Sequence, residues 1–190
     1  MKWVARDGRN WRTGTTSDVE WINAGTSVGT AITSGIPPVF DDYATVVLPD
    51  ARADQMRHDR ALLASLTRHS PDQGWWLGFL ETGGSDIVFP DAPRVSLYPG
   101  WPYVLVLAGP EQAAGWRRED FPQLRPRLLP DLMFPIDRSW LVSTLWDDAW
   151  TCVGGPVSLV DSLLNDPDLR PRARRVGVDD DATPPGHQSI

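Results

Sequence analysis

Lysine is all but missing from this chain: Lys2 stands alone beside 17 arginines. Glutamate is nearly as scarce, with Glu20, Glu81, Glu111 and Glu119 against 21 aspartates. Arginine in place of lysine is the bias of GC-rich coding and carries little functional weight. Aspartate in place of glutamate has a structural consequence, because Asp prefers caps and turns to helix interiors. Together with 18 prolines and 16 glycines it argues against an all-helical bundle. Cys152 is the single cysteine, so no intrachain disulfide can form. His58, His69 and His187 are scattered, and without clustered cysteines they make no zinc set. Asp179, Asp180 and Asp181 lack the glycine and terminal glutamate of a calcium loop. Neither a metal nor a cofactor is expected. No apolar run approaches the roughly 18 residues that suggest a membrane span, and Met1 to Asp7 has no apolar signal core. A cytoplasmic chain without membrane contact is the expectation.

The missing motifs narrow the chemistry further. Neither G-x-S-x-G nor H-E-x-x-H occurs, and there is no Walker A or G-x-G-x-x-G loop. A net charge of −7 and a pI near 4.8 disfavour nucleic acid as a partner. The one basic run, Arg170, Arg172, Arg174 and Arg175, is followed at once by the three aspartates. Cys152 reads as a small core residue in a strand.

What the chain has is tryptophan, ten residues in 190. Each buried indole removes roughly 150–250 Å² from solvent and brings an N–H that needs a partner. At 21.1 kDa the chain reads as one α+β domain over 1–176, loosely ordered in 1–16, with 177–190 a flexible, acidic, Pro-containing tail. The expected fold is a mostly antiparallel sheet of about five or six strands, with helices over 54–68, 110–118 and 156–165 packed largely on one face. Ser17 and Glu20 have the spacing of a capping box. Strands are expected at Tyr43–Leu48, Trp75–Leu80, Ile87–Phe89, Arg94–Tyr98 and Tyr103–Leu107. The last is a continuous apolar run suited to a strand covered on both faces. Met56, Leu62, Leu63 and Leu66 mark the inner face of the 54–68 helix. Residues 120–138, with four prolines, read as an ordered wrap with a short helical turn. Trp140 to Val153 reads as a β-hairpin turning at Asp147-Asp148, with Val142 opposite Val153 and Thr144 opposite Thr151. Gly155-Pro156 would open a helix with Val157, Val160, Leu163 and Leu164 inward.

Three segments carry a resemblance: 36–44 (IPPVFDDYA), 75–83 (WWLGFLETG) and 140–148 (WLVSTLWDD). In these the chain resembles uncharacterised bacterial proteins of high-GC genomes, which implies no particular activity. In size, acidity and its strand-rich, Trp-containing middle it is also similar to the small acidic α+β immunity proteins of the SMI1/KNR4 type, which bind toxins.

The functional expectation is a non-enzymatic module that binds a protein partner, its acidity favouring a basic one, through an acidic Trp-rich surface. The candidate binding residues are Trp75, Trp76, Glu81, Trp101, Trp146, Asp147, Asp148 and Trp150. The alternative is a small hydrolase or ligand-binding enzyme, with Glu81, Asp86 or Asp147 as an acid in a cleft floored by Trp75 or Trp146. A carboxylate against an indole has a raised pKa and can donate a proton. A third reading gives the indoles a packing role alone. Exposure of the rings separates the three.

Overall fold

The computed structural model describes residues 3–4, 9–82, 89, 91–116, 129–145 and 148–188. They form ten strands: β1 (Trp3–Val4), β2 (Asn10–Thr13), β3 (Asp42–Val47), β4 (Trp75–Leu80), β5 (Val95–Leu97), β6 (Trp101–Ala108), β7 (Leu132–Pro135), β8 (Leu141–Ser143), β9 (Trp150–Gly155) and β10 (Ala173–Arg175). The helices are α1 (Thr16–Gly25), α2 (Arg52–His69), α3 (Pro110–Gly115) and α4 (Val157–Asn165), with a 3₁₀ turn at Ile32–Ser34.

All strand pairs are antiparallel, and nine strands follow the order β1-β2-β6-β4-β7-β8-β9-β3-β10, with β5 also pairing β6. The α+β class and antiparallel sheet are as expected. The count of five or six strands is too low. Part of the excess comes from β7: residues 132–135, expected in an ordered wrap with a short helical turn, are a buried strand between β4 and β8. The surrounding prolines do not forbid it, because Pro135 ends the strand beyond the last pair with β8, so its missing N–H interrupts no pair there.

Alternation splits the core into two layers. Trp75, Leu77, Phe79, Val104, Val106, Met133, Val142 and Val153 face one side, where Leu62 and Leu66 of α2, Ala113 of α3, and Leu159 and Leu163 of α4 cover them. Trp76, Leu80, Tyr103, Leu105, Leu132, Phe134, Trp150 and Cys152 face the other side, under Val19 and Ile22 of α1 with Ile32 and Ile36. The three expected helices thus share one face, and α1 covers the second. Every residue of β4 is buried, which explains its unbroken apolar sequence.

Local chemistry shifts several expected boundaries. The α1 capping box lies two residues earlier than Ser17 and Glu20. Thr15 is the N-cap, and the Asp18 carboxylate accepts from Thr15 N at 2.8 Å and Thr15 Oγ1 at 2.9 Å. Pro110 sits in the first turn of α3 as expected. Pro156 caps α4 from outside, so Leu159, Val160 and Leu163 turn inward while Val157 is exposed. The segment expected as a tail is packed: Ala182 and Pro184 are buried, and Asp181 bridges Ala31. Its small apolar residues are too sparse to form a periodic pattern, yet they complete the layer beneath α1. The expected strand at Ile87–Phe89 lies largely outside the described residues.

The hairpin register was legible. β8 and β9 pair Val142 with Val153 and Ser143 with Cys152, and Thr144 and Thr151 join their hydroxyls at 2.8 Å. The expected turn lies largely outside the described residues: Trp146 and Asp147 belong to the undescribed part.

Candidate functional site: a neutral cleft and a buried polar recess

The structure disperses the candidate binding residues. Trp75 and Trp76 are consecutive in a strand, so they point to opposite faces, and both are buried. Trp75 stacks edge-on to Trp140, and Trp76 is capped by the Arg12 guanidinium, 5.0 Å from the ring centroid. A flat exposed patch that includes Trp75 is therefore not what this fold builds. Trp150 is buried, with its ring 6.0 Å from that of His187. Asp148 is buried near Cys152. Glu81 is bound to Arg94 at 2.5 Å, so it is an ion-pair partner and not an isolated acid. Trp146, Asp147 and Asp86 lie outside the described residues.

Trp101 is the exception. It is half-buried at the start of β6 and lines a cleft of about 360 Å³. Asn23, Thr26, Ser27 and Val28 form one wall, from the end of α1 and the bend after it; Tyr98, Pro99 and Trp101 form the other, with Ser34 and Leu145 beside them. Val28 is 87% exposed, an apolar side chain on the rim. Asn23 ties the walls together, donating to Ser96 O at 2.9 Å and accepting from Tyr98 N at 2.9 Å.

Tyr98 holds a left-handed backbone, φ 54°, which a bulky residue adopts only when its surroundings enforce it. Its hydroxyl is 2.6 Å from Ser143 Oγ and donates to Gly35 O at 3.1 Å. Burial pushes the phenol well above its ordinary pKa, outweighing the Ser143 hydrogen bond. The residue is a locked wall and has no use as a base. The described lining holds no carboxylate, histidine or lysine. Its groups can bind a neutral surface by hydrogen bonding and apolar contact.

A second polar feature lies on the opposite face of the sheet, and the sequence reading missed it. Gln55, His58 and Asp59 of α2 are buried against Thr144, Thr151, Met133 and Val142, around a recess of about 20 Å³. Asp59 Oδ1 accepts from Gln55 Nε2 at 2.6 Å and lies 3.1 Å from His58 Nδ1. The signal was present. Stepping back from Leu66 and Leu62 by three or four residues reaches His58, Asp59 and Gln55, all on the buried stripe. Met56, expected inside, is 47% exposed.

Cys152 is inert. Burial and then the Asp148 charge push its thiol up to about 12, against the smaller effect of a Trp150 hydrogen bond. No group of three or more potential metal ligands occurs among the described residues, and no described helix is long and apolar enough to cross a membrane. No protein-family model matches the chain, and no curated protein or solved structure matches it either.

Proposed function

We propose that this chain is a non-enzymatic binding module and that the Trp101 cleft receives an apolar side chain of a protein partner. The carrying observation is the cleft's composition: a half-buried indole and an exposed Val28 face each other across neutral hydrogen-bonding groups. Its volume of about 360 Å³ falls in the range of ligand pockets. Tryptophan is enriched among residues that dominate interface energetics. The −7 net charge would steer a basic partner during encounter. The resemblance to toxin-binding immunity proteins points the same way.

The hydrolase alternative asks for a carboxylate in a Trp-lined cleft. Neither the described lining of the Trp101 cleft nor the ion-paired Glu81 supplies one. Asp86, Asp147 and Trp146, which the alternative also names, lie outside the described residues, and the binding reading rests on the Trp101 cleft.

The test is affinity capture from native lysate with the wild-type chain, Trp101→Ala and Val28→Asp, beside Arg57→Ala on the exposed outer face of α2. The expected result is one partner retained by wild type and Arg57→Ala and lost by both cleft variants, all of which keep the wild-type melting temperature. Retention of the same partner by both cleft variants would place recognition elsewhere.

A further inference from the structure

We infer that the recess beneath α2 is a binding site for a single water molecule, held by His58, Asp59 and the Thr144–Thr151 hydroxyl pair. His58 is 1% exposed and Asp59 5%, yet His58 Nε2 and Asp59 Oδ2 have no hydrogen-bond partner among the described protein atoms. Buried polar atoms without partners are costly, which makes two beside one recess informative. The recess measures about 20 Å³, above the roughly 10–15 Å³ that one water needs.

Donor and acceptor counting selects the ligand. Asp59 as a carboxylate only accepts, so the contact with His58 requires the proton on Nδ1. In the neutral ring Nε2 is then an acceptor, and Asp59 Oδ2 is a second acceptor. Thr144 and Thr151 share one hydrogen bond, which uses one of their two hydroxyl protons and leaves the other free. A water molecule donates once to Nε2, donates once to Oδ2, and accepts the remaining hydroxyl proton. Three bonds is the usual number for a buried water. A bare cation could not do this. The water would join α2 to the β8–β9 hairpin where apolar packing is interrupted.

The experiment is a high-resolution crystal structure together with NMR of the ¹⁵N-histidine-labelled full chain. Expected are a solvent oxygen within about 3.2 Å of both His58 Nε2 and Asp59 Oδ2, the Nδ1–H tautomer for the neutral ring, and a water-to-His58 cross-relaxation signal. Thr144→Val with Thr151→Val removes the hydroxyl arm, and that signal should be lost while the chain stays folded. Should the double variant fail to fold, Thr151→Ser serves as a second probe: it keeps the hydroxyl and should keep the signal. A recess without ordered solvent, or a neutral ring protonated on Nε2, would overturn the assignment.

Discussion

Trp75 and Trp140 meet edge to face in the layer beneath α2, with centroids 4.8 Å apart and ring planes at 87°. Both are completely buried, but their N–H groups differ. Trp140 Nε1 donates to Ser70 Oγ at 2.8 Å, where the chain leaves α2. Trp75 Nε1 has no partner among the described atoms.

The asymmetry predicts unequal phenylalanine substitutions. Trp140→Phe loses a hydrogen bond and leaves Ser70 Oγ buried without its donor. Trp75→Phe removes an N–H that was already unsatisfied. By urea denaturation Trp140→Phe should cost about 1–2 kcal/mol more than Trp75→Phe, and either residue to alanine about 3–5 kcal/mol. Equal losses for the two phenylalanine variants would contradict the difference in hydrogen bonding.

Gly154 in β9 leaves room for two other side chains. A Cβ at this position would lie 2.5 Å from Ile36 Cγ2 and 2.5 Å from Phe40 Cδ2. Gly154→Ala should therefore overpack the second layer and cost about 1–3 kcal/mol. Pairing it with Ile36→Leu, which removes the Cγ2 branch at nearly unchanged volume, should recover part of the loss, since one of the two close contacts is with that methyl. A calorimetric melting series measures both effects.

Cys152 should resist alkylation by iodoacetamide at pH 8 in the native chain and react once the chain is unfolded. The folded thiol, pushed up to about 12 from an ordinary value of 9.0, binds a proton that the unfolded thiol releases. Stability from this group is complete below about pH 9 and declines as pH rises toward 12. Cys152→Ala should flatten that alkaline decline in a denaturation series.

Asp137 works in the opposite direction. Its carboxylate accepts from Gln73 Nε2 at 2.8 Å and Ser139 N at 2.9 Å. Partial burial would raise its pKa, but these hydrogen bonds outweigh it and hold the group below the ordinary carboxylate value. The stabilisation is present above that ordinary value and is lost as pH falls through the folded pKa. Asp137→Asn should weaken the acid dependence of stability slightly, the carboxylate being exposed and screened. An unchanged slope in acid would show that these bonds do not favour the ionised form.

Local pattern carried much of the fold. Apolar runs bounded by proline or glycine placed β3, β4 and β6 close to their observed positions, alternation placed β5, and period two with a short turn placed Val142 opposite Val153. The helical repeat located α2 within two residues at its start and one at its end. These features depend on neighbours in the chain, whose spacing the sequence states directly.

Tertiary structure decided what long-range partners control. Leu132–Phe134 became a strand because β4 and β8 offered ladders on both sides, against the nearby prolines. Gln55, His58 and Asp59 went inside because a helix buries whichever stripe its sheet covers, polar residues included. The Trp101 cleft draws its walls from residues 23–34, 98–101 and 145. No periodicity links segments so far apart. Sequence alone determined that the sheet would be antiparallel; only the folded chain determined that most of the described indoles would be interior and which one would be left facing a cavity, because burial depends on which distant segments close over each ring.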